Sequence, residues 1–309
     1  MVGAGGFFGR QTIRTLATLG IRAIAASRKD GVDAEDRASL RVFLRGGDVV
    51  IDAAGPFHAR SAALLDVVLE LGADLIDLSD SAAYASLIAA ARERIDASRS
   101  AVLTGCSAIS AVVATLVVAS GIDDPRRIDA WLAPASRETA HVATARAFIA
   151  SIQPGPRLEC DFAPVNGLPV DSGLRVQLPA VWPALERASF WVDPHTRAFG
   201  PVLSLAARSR ALRVALWVAA PVGVRLTRLL GAHSGIVAVR IAGARGDARW
   251  VLRSPRGSYR LAIAPAVLAA RDLASGTRTL HGLIPADRMV EPAALLAFVE
   301  QLGISVTRA

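Results

Sequence analysis

The stretch "MVGAGGFFGR" (residues 1–10) decides how the rest of the chain is read. Gly3, Gly6 and Gly9 stand as G-x-x-G-x-x-G, the spacing of a turn that leads from a buried strand into a helix. One glycine permits the tight turn, one lets backbone approach an anionic group, and one lets helix and strand pack closely. The helix begins near Phe7, with Phe8 beside it, and its start offers free N–H groups and a partial positive charge. Only Met1 and Val2 precede Gly3, so the strand that should feed the turn is almost missing. It would be central in a sheet, and losing it would expose its neighbours' edges. The expectation is therefore a truncated or misassigned Met1, with apolar strand residues encoded upstream.

Working outward, the first 120 residues alternate helix and strand patterns. Helices are expected at 7–19, 34–44, 59–71, 81–97 and 108–119. Apolar strands are expected at 21–27, 31–33, 48–55, 74–80 and 101–105. Strands alternating with helices specify a parallel sheet covered on both faces, with a shortened connection between the second and third strand. Punctuation changes at "GIDDPRR" (121–127), which sets a boundary between residues 1–123 and 124–309. The second part reads as a helical stretch near 138–152 and a helical span over 201–231 that Pro201 and Pro221 should kink or break. A hairpin over 235–243 and 247–254, a third strand at 258–264 and helices at 265–275 and 292–302 complete it. The fold class expected is α/β, a doubly wound parallel sheet plus a second α+β domain with a mostly antiparallel sheet.

Composition narrows the function classes. The chain has 309 residues, 52% hydrophobic and 20% charged, enough for a packed core and too apolar for disorder. Its net charge of +8 comes almost wholly from arginine, Lys29 being the single lysine. The arginines are scattered through alanine-rich segments rather than clustered with aromatics, so no nucleic-acid partner is expected. Cys106 and Cys160 build neither a disulfide framework nor a metal cluster, and no metal site is expected. The apolar run at 214–224 is too short to cross a bilayer. No signal peptide is visible, and a cytoplasmic protein is the expectation. The segment 205–231, with arginines around an apolar face, reads as a core or dimer-packing helix, with peripheral membrane contact the lesser alternative.

The strand ends carry the chemistry. "AASRKD" (25–30) follows the second strand, where an acid would accept from the ribose 2′-OH of NAD and arginine would suit the 2′-phosphate of NADP. Ser27, Arg28 and Lys29 occupy that place, and guanidinium matches phosphate geometry, so NADP is expected, with NAD the alternative. "DVVIDAAGPF" (48–57) places Ala54, Gly55, Pro56 and Phe57 on the path toward a nicotinamide. Asp80 ends "LIDLSD" (75–80), and Gly105, Cys106 and Ser107 sit at the rim of "TGCSAIS" (104–110). Cys106 reads as a small turn residue, since no histidine partners it. A Tyr-x-x-x-Lys pair is absent, because Ile88 and Ile263 stand four residues after Tyr84 and Tyr259. So are H-E-x-x-H and G-x-S-x-G. The five histidines are widely spaced, although His141 and His195 could share a cleft. Asp80 and His141 are the weak candidates for proton transfer.

In order and spacing, "GAGGFFGR", "DVVIDAAGPF", "LIDLSD" and "LTGCSAIS" resemble the NAD(P)-binding part of the saccharopine dehydrogenase (saccharopine reductase-like) family. A weaker resemblance continues through "HSGIVAVRIAG" (233–243), "RWVLRS" (249–254) and "APAVLAARDLASG" (264–276). The resemblance implies a Rossmann domain, a nicotinamide cofactor and a second α+β domain closing the cleft. It supports Gly3, Gly6, Gly9, Arg28, Gly55 and Pro56 as cofactor contacts and transfers no substrate. The expected function is an NAD(P)-dependent oxidoreductase acting on a C=N, C=O or C=C bond of a small molecule or lipid. The alternative is a non-catalytic dinucleotide-binding or scaffold protein that kept the fold. A homodimer is a further expectation.

Overall fold

A computed structural model describes residues 1–195 and 200–308. The first part runs α1 (Phe7–Thr18), α2 (Arg37–Phe43), β1 (Val49–Asp52), α3 (Ala63–Leu71), β2 (Asp74–Asp77), α4 (Ala82–Ala90), α5 (Arg92–Asp96), β3 (Ala101–Leu103) and α6 (Ser110–Ser120). It continues through β4 (Pro125–Ala133), α7 (Ser136–Thr139), α8 (Val142–Ser151), β5 (Leu158–Glu159), β6 (Asn166–Pro169), α9 (Leu174–Val181) and β7 (Arg187–Val192). After these come α10 (Gly200–Arg208), α11 (Arg210–Leu230), β8 (Gly235–Gly243), β9 (Gly246–Ser254) and α12 (Tyr259–Ala274). The last elements are β10 (Gly282–Leu283), α13 (Pro292–Gln301) and β11 (Ser305–Arg308).

Successive residues of a strand face opposite sides, and the first sheet uses both. Its order is β1-β2-β3-β10, all parallel. Ile51, Ile76 and Leu103 join one apolar cluster with α6 and α12, while Val50, Leu75 and Val102 join another with α3 and α4. The two-sided burial explains why these strands read as unbroken apolar runs rather than alternating ones. Met1–Ala4 lies between β1 and Ala26, where the strand feeding the turn is expected. Val2 bridges both Ala26 and Asp52 in parallel, its N–H donating to Ile51 and its carbonyl accepting from Ala53. Two residues of backbone therefore tie the sheet to its outer neighbour. That neighbour, expected as a strand over 21–27, pairs only at Ala26, and the expected strand at 31–33 does not form. A partner this short supports no longer ladder.

The second sheet has seven strands in the order β11-β9-β8-β4-β7-β6-β5; only β4 and β7 pair in parallel. One face, with Ile128, Phe190, Val239 and Trp250, packs into the same cluster as α6 and α12. These helices thus lie between the two sheets and are buried nearly all round. That accounts for one correction: residues 258–264 begin α12 and are not a strand, since a short apolar run buried on all sides carries no period to distinguish the two. A second concerns the boundary at 123/124. Chain character does change there, but β10 returns to the parallel sheet beside β3. A third concerns the 201–231 span, which breaks at Ser209 rather than at Pro221. Ser209 caps α11 by accepting from Leu212 N–H, and Pro221 continues within the helix. Among the described residues no helix is long and apolar enough to cross a membrane.

Candidate functional site

The glycine turn divides its labour as the spacing predicts. Gly3 has φ +75°, and a Cβ there would lie 2.6 Å from the Ala53 carbonyl carbon. A Cβ on Gly9 would lie 2.3 Å from Gly3 O and 2.9 Å from Ala4 Cα, so this glycine lets α1 press on the stub. Gly6 is the N-cap of α1, with no side-chain cap and no acid in the first turn. The first N–H groups of a helix lack internal acceptors, so this terminus remains a fit for an anion.

The turn opens into a cleft of about 1360 Å³ between the two sheets. Gly3, Gly6, Phe7, Phe8, Ser27, Arg28, Lys29, Ala54, Gly55, Pro56 and Phe57 all line it, as do Asp80 and His141. Two expected contacts do not. Gly9 is turned into the helix–strand junction. Gly105, at φ +70°, packs under Gln177, whose Nε2 would lie 2.6 Å from a Cβ there. Both are glycines because backbone or a side chain crowds them. His195 is likewise not among the lining residues, so it does not join His141 in the cleft.

At the end of the cleft beside Ala26, Ser27 donates to Asp30 Oδ2 at 2.6 Å, and Asp33 and Glu35 also line the cleft. Arg28 and Lys29 are exposed to the cleft and enter no ion pair among the described residues. Sequence reasoning missed what lies beneath. Asp52 is fully buried and accepts from Ala54 N–H at 2.8 Å, and Arg60 sits 3.1 Å from its second oxygen. Arg60 also pairs with Glu35 and donates to Ala54 O at 2.5 Å. This network pins the loop after β1, and nothing in the spacing of "GPFHAR" marks Arg60 for it.

The strand ends of β2 and β3 are joined by a second buried acid. Asp77 Oδ1 accepts from Ser79 and Gly105 N–H, both at 2.9 Å, while Oδ2 has no partner. Burial pushes this carboxyl up to about 7. Asp80 lines the cleft and is exposed to it; crowding by the surrounding protein pushes its carboxyl up to about 6, against the pull of the Ser107 hydroxyl that donates to it. Cys106 is fully buried, and burial pushes its thiol far up, as befits a turn residue rather than a nucleophile.

His141 also lines the cleft and lies against Phe7, ring centroids 4.3 Å apart, and Tyr259 meets Phe7 edge-on at 5.3 Å. Arg228 Nη2 is 2.9 Å from His141 Nδ1. Guanidinium can only donate, so Nδ1 accepts and Nε2 carries the hydrogen of the neutral ring. Burial first, then Arg228 and Arg10, lower the pKa of His141 and keep it neutral. Its Nε2 is buried and unpartnered. Among the described residues no group of three or more His, Cys, Asp or Glu could hold a metal ion.

No family model matches the chain, and no curated protein sequence matches it. Solved structures do. An oxidoreductase from Sinorhizobium meliloti aligns over 99% of this chain and 98% of its own, at 12% identity and a TM-score of 0.38. Apo histidine-tagged saccharopine dehydrogenase (L-Glu forming) from Saccharomyces cerevisiae aligns over 100% of this chain and 98% of its own, at 13% identity and a TM-score of 0.57. The chain therefore shares the fold of saccharopine dehydrogenase along its whole length.

Proposed function

We propose that the chain is an NAD(P)-dependent oxidoreductase, with NADP the favoured cofactor, that acts on a C=N, C=O or C=C bond of a small molecule or lipid. One observation carries the reading: an uncapped glycine turn and the unpaired Arg28 and Lys29 open into the same cleft as Asp80 and His141. The cofactor, when bound, supplies or accepts the hydride. Gly3, Gly6, Phe7 and Phe8 would hold its pyrophosphate by backbone, and Arg28 with Lys29 would hold a 2′-phosphate. Ala54, Gly55, Pro56 and Phe57 line the path between the sheets. Asp80, with its pKa near neutrality, holds or releases a proton at its Oδ atoms, and Ser107 orients it. His141, held by Arg228, lines the cleft as a neutral ring beside Phe7. The fold's likeness to saccharopine dehydrogenase supports the reaction class and leaves the substrate open.

Titration with NADPH and NADH, followed by tryptophan fluorescence, tests the reading. Binding should favour NADPH. Arg28→Asp should weaken NADPH by about 10- to 100-fold, the worth of a charge-assisted phosphate contact, with little effect on NADH. No binding of either nucleotide refutes the proposal. Binding without turnover on an imine, ketone and enoyl panel would identify a dinucleotide-binding scaffold instead.

A further inference from the structure

Helix α11 is built for two environments. Of its 21 residues only Ala220 and Val224 are buried. Its inner side supplies Leu216, Ala219, Gly223 and Thr227 to the cleft wall. Its outer side carries Val214, Val218, Val222, Leu226 and Leu229, at steps of four or three residues that align on a helix. All five are exposed, with Val218 at 64% and Leu229 at 68%. Leu205 of α10 and Trp217 extend the patch, and Arg146 stacks on the Trp217 ring at 3.9 Å. Elsewhere among the described residues the exposed large apolar side chains are three scattered ones, Ile24, Val42 and Val118. Concentration on one helix pair marks a docking face.

Charge identifies what the face meets. No acidic residue occurs between Asp193 and Asp247. Arg208, Arg210 and Arg225 are exposed and enter no ion pair among the described residues. A long apolar stripe among unpaired arginines fits an anionic bilayer surface, where aliphatic stems follow the apolar face and guanidiniums reach phosphates. A second copy of this chain fits poorly, because a two-fold contact would set Arg225 and its neighbours against their own copies with no acid to compensate. Val222 and Leu226 belong both to the exposed stripe and to the cleft lining. Apolar surface thus runs unbroken from the outer face into the cavity.

We infer that α10 and α11 seat the protein on an anionic lipid surface and open the apolar end of the cleft toward it, so that a substrate with an apolar chain passes from bilayer to cleft. The docking stands on the surface itself; the substrate class rests on the oxidoreductase reading. The test is sedimentation of the full chain with vesicles of phosphatidylcholine alone or mixed with phosphatidylglycerol, at low and high salt. Binding should require the anionic lipid and weaken with salt. The double variant Val218→Asp/Leu229→Asp, at two positions outside the cleft lining, should bind at least about tenfold more weakly and still bind NADPH as the wild type does. Should that variant misfold, brominated lipid should quench the wild-type protein and lose part of that effect in Trp217→Phe. No sedimentation with anionic vesicles at low salt overturns the inference. So does vesicle binding that the double variant and Trp217→Phe leave unchanged, or a dimer in solution that Val218→Asp/Leu229→Asp dissociates. NADPH titration fails or succeeds separately and reports only on the oxidoreductase reading.

Discussion

Replacing Asp77 by Asn should make the protein less sensitive to rising pH. Asp77 is fully buried, and its Oδ1 holds the turns after β2 and β3 through Ser79 and Gly105 N–H. Burial pushes its carboxyl from the ordinary 3.8 up to about 7. The folded state therefore keeps a proton that the unfolded chain releases first. Stability is intact below about pH 4, falls as pH rises toward 7, and levels off above it. The full window corresponds to about 4 kcal/mol, of which about 2–3 kcal/mol falls between pH 5 and pH 8. Asparagine keeps an oxygen for both N–H groups and cannot ionise. Its amide N–H replaces a carboxyl O–H that has no partner either, since Oδ2 is unpaired. Urea unfolding of both proteins at pH 5 and pH 8, followed by tryptophan fluorescence, gives the difference directly. The variant should gain on the wild type by about 2–3 kcal/mol across that interval, with Asp80 shifting both proteins alike. Parallel pH dependences would refute the reasoning, because they would mean that Asp77 stays ionised in the fold.

Two further outcomes follow from the site. Gly9→Ala places a Cβ 2.3 Å from Gly3 O and 2.9 Å from Ala4 Cα, both backbone. It should cost about 2–4 kcal/mol in unfolding free energy instead of the gain that Gly→Ala usually brings to a helix, and NADPH binding should fall with it. Asp80→Asn should lower turnover in the reducing direction by about 100-fold. It should also remove the decline in rate expected of the wild type as pH rises through about 6, the value to which the Asp80 carboxyl is pushed up. A decline that persists in the variant would assign the proton transfer elsewhere.

The part of the site legible in the sequence is the part made by local chain geometry. Glycine spacing sets which positions of a strand–turn–helix can be crowded, and Gly3, Gly6 and Gly9 behave accordingly. The apolar runs before Ala54, Asp80 and Ser107 place those residues at strand ends, because in a parallel sheet all such ends emerge on one side. The missing parts depend on partners remote in sequence. Arg60 is a buried ion-pair donor only because Asp52 and Glu35 converge on it, and His141 reaches Phe7 from the far side of the boundary near residue 123. Gly105 follows an apolar run as a rim residue does, yet Gln177 of α9 covers it.

By itself the sequence determined the parallel strands at 49–52, 74–77 and 101–103, the glycine turn with its helix and the antiparallel hairpin at 235–254. Each follows from contacts within about 30 residues or from a period that repeats along the chain. Only the tertiary structure decided that residues 259–264 are helical, that Val2 bridges β1 to Ala26, that β10 returns to the first sheet, and that α11 keeps one side in the cleft and the other exposed. In each of these the deciding energy is burial between elements far apart in sequence, which no local pattern encodes.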